Sequence, residues 1–300
     1  MKVLLCGELD AAEWATWHAA LSAALPGAEW LDLPQARRDP AAVRAAVVAN
    51  PPPGSLQGLP GLGLIQSLWA GVDRLLQDDT LPQGVPLARM VDPAMSAAMA
   101  ETALWAVLSL QRDFYVYAEQ QRQGLWRAWP QRSAADVRVL VLGQGEMGRA
   151  VSARLASQGF PVKGWRRDGG ALEPLLARAD IVVNLLPLTP QTRGILAAPL
   201  FKALPPGAAL VNLGRGAHVV DADLQAVLDS GHLRHAVLDV FHTEPLPAAH
   251  PWWGHPRVTV LPHTAAQTDP RTAAAVAAAN LVALQEGRPL SHRVERSRGY

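Results

Sequence analysis

Cysteine is almost absent from this sequence. Cys6 is the single cysteine among 300 residues, so no disulfide can form within the chain. Disulfides persist mainly in oxidising compartments, and nothing in this composition points to one. The simplest interpretation of Cys6 is a buried thiol on a strand.

An excess of charge of either sign is also missing. The 27 basic and 26 acidic residues leave a formal net charge of +1, and the basic residues form no long run. A protein that binds nucleic acid through its phosphates generally carries a basic patch or stripe. We therefore do not expect nucleic acid as a partner.

Uninterrupted apolar runs are short. The apolar stretch 3–6 reaches Glu8 almost at once, which is too short for the core of a signal peptide. The longest runs, 103–110 and 273–284, fall short of the roughly 20 residues that a membrane span requires. We expect a soluble, cytoplasmic protein with no membrane partner.

The chain does contain enough apolar material for globular cores, 49% of its residues, and its length fits two domains. Short apolar runs alternate with polar, helix-like segments in two series, a rhythm typical of parallel sheets with crossover helices. The near-continuous apolar runs of the second series suit a buried parallel sheet. The predicted strands are 3–6, 28–33, 45–48, 63–67 and 87–91 in the first series, and 137–142, 162–165, 181–185, 209–213, 236–240 and 258–261 in the second.

Two long helices are predicted beside these strands. The segment 96–123 contains neither Pro nor Gly and carries apolar residues at helical spacing, which predicts one long helix. The Ala-rich stretch 271–284 follows the last strand and is predicted to return the chain to the first series. We therefore predict an α/β protein whose first domain, 1–94 with 271–300, encloses a second domain at 95–270.

A glycine-rich turn opens the second series. The run Gly143-Gln-Gly145-Glu146-Met147-Gly148 matches G-x-G-x-x-G, follows an apolar strand and leads into a helix-like segment. In this frame Gly143 permits a tight turn, Gly145 lets the backbone approach a pyrophosphate, and Gly148 lets helix and strand pack closely. We predict a dinucleotide site formed by these residues; a glycine-rich turn without a ligand is the alternative.

The end of the next strand indicates which dinucleotide binds. An acid about 20 residues after the turn binds the ribose 2′-hydroxyl of NAD, whereas an Arg there accommodates the 2′-phosphate of NADP. Arg166 and Arg167 occupy this position, and Asp168 follows them. An Arg fork can grip a phosphate that a carboxylate would repel. NADP(H) is the predicted cofactor, with NAD(H) as the weaker choice; two solvated arginines are the alternative.

Three further strand ends carry residue types suited to one reaction. Arg215 follows the fourth strand of the second series, Glu244 the fifth and His263 the sixth. Reduction of a 2-oxo acid requires a cation for the carboxylate, an acid for the carbonyl oxygen and a placed hydride donor. Arg215 suits the first task, and His263, hydrogen-bonded to Glu244 through its other nitrogen, suits the second. Taken singly, each is also explained as a solvated loop residue.

Other polar residues near these strand ends have competing interpretations. Asp239 is predicted to face the nicotinamide carboxamide, with a buried strand-end carboxylate as the alternative. A metal site would recruit His242, His250, His255 and His263, but no H-E-x-x-H or Cys/His ligand pair is present, and no metal is predicted. The other five histidines are expected to be ordinary surface or capping residues: His18, His218, His232, His235 and His292.

The segments around Arg215, Glu244 and His263 resemble the D-isomer-specific 2-hydroxyacid dehydrogenase family, and the resemblance covers essentially the whole chain. Four segments are most similar to the glyoxylate/hydroxypyruvate reductase branch of that family: Trp165-Arg-Arg, Asn184-Leu-Leu-Pro-Leu-Thr-Pro-Gln-Thr, Asp239-Val-Phe-His-Thr-Glu-Pro-Leu-Pro and Arg298-Gly-Tyr.

The resemblance implies further site residues. The loop around Trp69, Ala70 and Gly71 would bind the substrate carboxylate together with Arg215, using backbone N–H groups of Ala70 and Gly71, and Arg89 would approach the same pocket. The residues implied to line the cofactor are Leu186, Pro187, Leu213, Gly214, Ala265 and Ala266.

The resemblance also implies a fold, an activity and an assembly. The fold would be two doubly wound parallel-sheet domains, with a Rossmann dinucleotide-binding domain inserted in a smaller flavodoxin-like substrate domain. The activity would be NADPH-dependent reduction of glyoxylate to glycolate and of hydroxypyruvate to D-glycerate. The assembly would be a homodimer formed through the cofactor domain, with the helix from Ser96 and the segment 126–129 as an arm. The alternatives are a noncatalytic NAD(P) sensor that binds a protein and a reductase of a bulkier 2-oxo acid.

Overall fold

The computed structural model describes residues 1–300 and contains two sheets in which every strand pair is parallel. The chain separates into two compact units, Met1–Met95 with Thr268–Tyr300, and Ser96–Gln267. The α/β class with two parallel sheets is confirmed. The roles assigned to the two units, substrate binding and dinucleotide binding, stay predictions.

The first unit alternates strands and helices along the chain. Its first helix is capped by Asp10, whose side chain accepts the Glu13 N–H (2.8 Å), while the Glu13 side chain accepts the Asp10 N–H (2.9 Å), so both hydrogen bonds of this capping box are made. The elements are β1 Lys2–Gly7, α1 Ala11–Ala24, β2 Glu29–Leu31, α2 Leu33–Ala36, β3 Val43–Ala49, β4 Ile65–Ser67, α3 Asp73–Leu76 and β5 Leu87–Ala88.

The strand order of this first sheet is β2-β1-β3-β4-β5, the order of flavodoxin-like folds. Strand β3 is buried at six of its seven positions because the sheet is covered on both faces. The expected flavodoxin-like arrangement of this unit is therefore confirmed.

The second unit carries six strands and most of the helices. Its strands are buried along their whole length where they lie in the sheet centre, as their near-continuous apolar runs predict. The elements are α4 Pro93–Gln111, α5 Phe114–Arg122, β6 Val139–Leu142, α6 Glu146–Ser157, β7 Val162–Trp165, α7 Glu173–Leu176, β8 Ile181–Asn184, α8 Ala198–Ala203, β9 Ala208–Asn212, α9 Asp221–Asp229, β10 Leu233–Leu238 and β11 Val258–Val260.

The strand order of this second sheet is β11-β10-β9-β8-β6-β7. From β6 the chain moves outward to β7 and then returns to β8 on the other side of β6, so the winding direction reverses there. Open α/β sheets bind ligands in the crevice at such a switch point, outside the carboxyl ends of the strands. The turns after β6 and β8 are therefore the places where a dinucleotide site is expected.

The single long helix predicted for 96–123 is wrong. Two helices, α4 and α5, are separated at Arg112 and Asp113, because Asp113 has a left-handed backbone (φ 54°) that no helix interior tolerates. Asp113 ion-pairs with Arg234 (3.1 Å), which stabilises the junction. Asp is one of the few residue types that enter this region readily, so only a tertiary contact could reveal the break.

Helix α4 is long and apolar enough to cross a membrane by length and composition, although its uninterrupted apolar runs are short. Its buried face instead packs on the second sheet, where Ala103, Val107 and Leu110 join the cluster that contains Val139 and Val141. This is the packing of a core helix in a folded unit.

The last helix, α10 Pro270–Gln285, belongs to the first unit. Asp269 caps it by accepting the Arg271 N–H (2.9 Å). Its small side chains allow close packing, and Ala273, Ala277 and Leu281 share a buried cluster with Trp17 of α1.

Candidate active site

The glycine turn after β6 has a shape that admits no side chain at two of its three glycines. A Cβ at Gly143, where φ is 95°, would lie 2.6 Å from the Leu185 carbonyl oxygen, and a Cβ at Gly148 would lie 1.9 Å from the Gly143 oxygen. Gly145 begins α6 with no side-chain cap, and nothing lies within 4 Å of its Cβ position. Uncapped N–H groups at an open helix N-terminus suit a pyrophosphate, so these residues fit a dinucleotide.

The side chains around this turn have identifiable partners. Glu146 ion-pairs with Arg149 one turn along α6, and this pair offsets the negative charge that Glu146 places in the glycine turn. Met147 is half-buried and packs on the cluster below the sheet. These contacts place neither side chain in the way of the open Gly145 backbone.

Arg166 and Arg167 lie beside the glycine turn. The Gly143 N–H donates to the Trp165 oxygen (2.8 Å), so the carboxyl ends of β6 and β7 are adjacent. Both arginines are exposed, and the Arg166 Nε contacts Asp168 Oδ1 at 2.8 Å. An exposed pair of this kind is weak, so a phosphate can compete with Asp168 for Arg166.

The loops after β8 and β9 lie next to the same turn. Leu185 and Leu186 line the space beside Gly143, and the Leu213 N–H donates to the Asn184 oxygen (3.1 Å). Leu186, Leu213 and Gly214 are buried, whereas Pro187 is half-buried. The residues predicted to line the cofactor therefore border the switch point.

Arg215 is joined to the loop that carries Glu244. A Cβ at Gly216 would lie 2.0 Å from the Phe241 carbonyl carbon, so the two loops touch through backbone. The Phe241 N–H then donates to Glu244 Oε1 (2.8 Å). Arg215 Nη1 donates to its neighbour's carbonyl, that of Gly214 (2.8 Å). This close approach explains the glycine that follows Arg215, whereas the one that precedes it, Gly214, faces Asn184 Nδ2 at 2.9 Å from its Cβ position.

Glu244 and His263 form an ion pair, with Glu244 Oε2 2.5 Å from His263 Nδ1. Burial alone would raise the pKa of the Glu244 carboxyl. The hydrogen bonds from His263 and the Phe241 N–H, together with the charges of His263 and Arg215, outweigh burial and lower that pKa. Glu244 is therefore a carboxylate, and the Arg215 charge acts on it directly.

The backbone at His263 has a left-handed conformation (φ 52°), held by Asp239. The His263 N–H donates to the Asp239 carbonyl (2.8 Å), and the Asp239 carboxyl accepts the N–H groups of Thr264 (2.8 Å) and Ala265 (3.1 Å). Burial raises the pKa of the Asp239 carboxyl although these two N–H groups oppose the rise. Asp239 thus occupies the position of a buried strand-end carboxylate that shapes the histidine loop.

This arrangement leaves one nitrogen of His263 available for chemistry. Nδ1 is engaged by Glu244, and 52% of the His263 side chain is exposed. Nε2 can therefore carry a proton to a bound molecule while Glu244 stabilises the imidazolium. Ala265 is buried and Ala266 half-buried in the cluster that also contains Leu213.

The predicted substrate loop lies in the first unit, directly after β4. Ser67 Oγ accepts the Trp69 N–H (3.0 Å), and the Trp69 carbonyl accepts the Met90 N–H (3.0 Å). Ala70 and Gly71 are half-buried, and the Arg89 N–H donates to the His292 carbonyl (3.1 Å). Trp69 is thus held through both its backbone N–H and its carbonyl.

Two of the five histidines expected to be surface or capping residues, His218 and His235, are buried. His218 nevertheless caps the 3-10 turn Gly216–His218 by accepting the Arg215 N–H (3.1 Å), whereas His235 lies within β10. Sequence alone does not separate a buried from an exposed histidine: His235 lies within an apolar strand, but nothing in the local sequence marks His218 as buried. His242, His255 and His263 contact three different groups, Val219, Asp229 and Glu244, and no cluster of three metal-ligating side chains occurs in the chain.

Comparison with known proteins identifies the family. Residues 104–265 match the model of the D-isomer specific 2-hydroxyacid dehydrogenase NAD binding domain. The chain is 40% identical to glyoxylate/hydroxypyruvate reductase A of Serratia proteamaculans, over 95% of this chain and 96% of that protein. The Yersinia enterocolitica protein of the same name is 38% identical over the same shares.

Solved structures similar to this chain belong to the same family. A D-isomer specific 2-hydroxyacid dehydrogenase from Xanthobacter autotrophicus, in complex with NADPH and MES, has a TM-score of 0.93 and 40% identity, covering 100% of this chain and 99% of that chain. An NADPH-dependent glyoxylate/hydroxypyruvate reductase from Sinorhizobium meliloti, in complex with NADP and sulfate, has a TM-score of 0.92 and 35% identity over the same shares.

Proposed function

The chain belongs to the D-isomer-specific 2-hydroxyacid dehydrogenase family and is an oxidoreductase, and on that premise we propose that it reduces small 2-oxo acids with NADPH. Glyoxylate, giving glycolate, and hydroxypyruvate, giving D-glycerate, are the proposed substrates. The observation that carries the proposal is the Glu244–His263 ion pair, with the Arg215 charge acting on the same carboxylate.

NADP(H) is the proposed cofactor, with NAD(H) as a poorer donor. The open backbone at Gly145 and the exposed Arg166 and Arg167 beside it support this choice. The two solved relatives described above were crystallised with NADPH or NADP. When bound, NADPH supplies the hydride that reduces the carbonyl carbon.

The chain's own residues divide the remaining tasks. Arg215 binds the substrate carboxylate through two N–H donors and polarises the carbonyl oxygen. His263 delivers the proton of its Nε2 to that oxygen. The neutral ring that remains keeps its proton on Nδ1, hydrogen-bonded to Glu244. Asp239 holds the loop that carries His263, so the imidazole is oriented before the substrate arrives.

The first unit is proposed to supply the other substrate contacts. Backbone N–H groups of Ala70 and Gly71 would bind the carboxylate beside Trp69, and Arg89 would contribute charge. Trp69→Ala should raise the Michaelis constant for the 2-oxo acid and leave that for NADPH unchanged. An unchanged Michaelis constant for the acid would remove this loop from the proposal.

We further propose a homodimer formed through the second unit, working in the cytoplasm. Trp126 is fully exposed, and Trp105, Phe114, Leu125 and Trp129 are also exposed on this unit. Exposed apolar patches mark protein interaction sites, and Trp and Phe are enriched at protein interfaces. Sedimentation of the intact chain and of a Trp126→Ser, Leu125→Ser variant tests the dimer; identical masses would contradict this surface.

A panel of 2-oxo acids assayed with NADPH and with NADH tests the function. We expect glyoxylate and hydroxypyruvate to have the highest kcat/KM, and NADPH to exceed NADH. Preference for a branched or aromatic acid would indicate the bulkier-substrate reductase instead. Tight NADPH binding without oxidation by any acid would indicate a noncatalytic sensor.

A further inference from the structure

His218 is a fully buried histidine directly below the Arg215 loop. It ends a short 3-10 turn, Gly216–His218, and its ring faces back toward the start of that turn. Nδ1 lies 3.1 Å from the Arg215 backbone nitrogen and 3.0 Å from Asn184 Nδ2, and Nε2 lies 3.3 Å from the Pro187 oxygen. The ring therefore contacts the loop after β9 and the loop after β8.

The contacts determine the protonation state of the ring. A backbone N–H and an amide N–H can only donate, so Nδ1 must accept from both. The orientation of the Asn184 amide is set independently, because its Oδ1 accepts the Leu186 N–H (3.3 Å) and its Nδ2 donates to Asn212 Oδ1 (2.8 Å). The Pro187 oxygen can only accept, so the proton of His218 resides on Nε2.

The same network reaches both sides of Arg215. Asn212 Nδ2 donates to the Arg215 carbonyl (3.1 Å), and Asn212 Oδ1 accepts the Gly214 N–H (3.2 Å). The space is full, since a Cβ at Gly214 would lie 2.9 Å from Asn184 Nδ2 and 3.1 Å from His218 Nδ1. A buried network in which every polar atom has a partner holds one conformation.

We propose that His218 is a positioning residue: as a neutral ring protonated on Nε2, it fixes the Arg215 backbone with one nitrogen and the Pro187 loop with the other. The proposal rests on the proposed function, in which Arg215 binds the substrate and Pro187 borders the cofactor. His218 touches neither molecule in this account. It acts by linking the two loops that do.

Two substitutions separate the two contacts. The Oδ1 of Asn lies the same number of bonds from Cα as Nδ1 of His, so His218→Asn keeps an acceptor for Arg215 and loses the Pro187 contact. The Nε2 of Gln corresponds likewise to Nε2 of His, so His218→Gln keeps the Pro187 contact and loses the acceptor. His232→Asn is the matched control, because its ring also contacts a backbone oxygen, that of Phe201 (2.9 Å).

In steady-state kinetics, each of the two variants should affect a different parameter. We expect His218→Gln to lower kcat/KM for glyoxylate by roughly 10- to 100-fold, since small displacements of a reacting group have large effects, with the Michaelis constant for NADPH little changed. His218→Asn should mainly raise the Michaelis constant for NADPH. The proposal would be overturned if both folded variants changed kcat/KM for glyoxylate and the Michaelis constant for NADPH to the same extent. It would also be overturned if neither variant had a larger effect than His232→Asn.

Hydrogen exchange of the Arg215 amide gives a test that needs no activity. In the intact chain this amide should exchange faster in His218→Gln than in the wild type, and at the wild-type rate in His218→Asn. Equal rates in all three proteins would overturn the proposal even if the wild type reduces 2-oxo acids. If the wild type reduces none, the proposed function fails, and the exchange rates still decide whether His218 holds this backbone.

Discussion

Ionisable side chains lie near the amino end of strand β10 and in the loop that follows its carboxyl end, and the two places differ in access to solvent. Near its amino end, His235 is buried, stacks on Tyr115 (ring centroids 4.0 Å apart) and donates or accepts at Thr259 (2.8 Å). Beyond its carboxyl end, the chain continues to Glu244, whose partner His263 is half-exposed. One end builds a closed structural cluster and the other builds an open site.

The protonation state of His235 follows from its burial. Burial, together with the charge of Arg234 and His255, lowers the pKa of His235 to about 3, so this ring stays neutral. His263 instead has a carboxylate beside Nδ1 and solvent access to the rest of the ring. A general acid or base must lie within reach of the group with which it exchanges a proton; the half-exposed His263 meets this condition and the buried His235 does not.

Apart from the loss of His263 itself, the largest effect is expected at Arg215. Arg215→Met removes the cation for the substrate carboxylate but retains the length of the side chain. We expect kcat/KM for glyoxylate to fall about 10³-fold, the scale of a lost buried charge-assisted hydrogen bond. NADPH binding, followed by fluorescence, should change little. Full activity in this variant would remove Arg215 from the site.

Glu244 should have a smaller effect because it acts through His263. We expect Glu244→Gln to lower kcat roughly 10- to 100-fold, part of the general-acid contribution, and Glu244→Asp to recover some of it. Since the pKa of Glu244 is lowered, its carboxylate persists as the pH falls through the range where an ordinary glutamate protonates. A wild-type pH profile that declines in that range would contradict the ion pair.

The next largest effect is expected on the preference for NADPH over NADH. We expect the double variant Arg166→Ala, Arg167→Ala to raise the Michaelis constant for NADPH about 10-fold or more, the effect of losing charged phosphate contacts, and to leave that for NADH almost unchanged. Arg154→Ala, an exposed arginine on α6, is the control. Equal changes for both coenzymes would show that the arginines do not select the 2′-phosphate.

The smallest effect on activity is expected at the closed end of β10. The folded pKa of His235 is about 3 and its ordinary value is 6.5, so acidification through this window protonates only the unfolded chain and destabilises the fold. His235→Gln should make the free energy of unfolding fall less steeply as the pH is lowered, by at most about 1.4 kcal/mol per pH unit, with kcat unchanged. Parallel stability curves for variant and wild type would contradict a neutral buried ring.

The sequence pattern predicts much of this molecule because near-continuous apolar runs mark buried parallel strands. It fails where tertiary contacts decide the outcome. Asp113 interrupts the predicted helix because Arg234 lies opposite it, and no local pattern contains that partner. The left-handed backbone at His263 depends on Asp239, which lies on a different strand end.

The site was predictable to the extent that its chemistry depends on residue types at strand ends. Arg215, Glu244 and His263 could be selected on that basis, and their catalytic roles stay predictions. His218 could not be selected, because burial and hydrogen bonding give it its role and the sequence contains neither. Supporting residues of this kind emerge only once the loops are placed next to each other.

The central claim is that His263, and not another histidine of this unit, delivers the proton. The most direct measurement is kcat for glyoxylate reduction by His263→Ala and by His235→Gln, at saturating NADPH. We expect the first variant to lose about 10² to 10⁴-fold, the usual general-acid contribution, and the second to match the wild type. A His263→Ala enzyme with wild-type kcat would contradict the account.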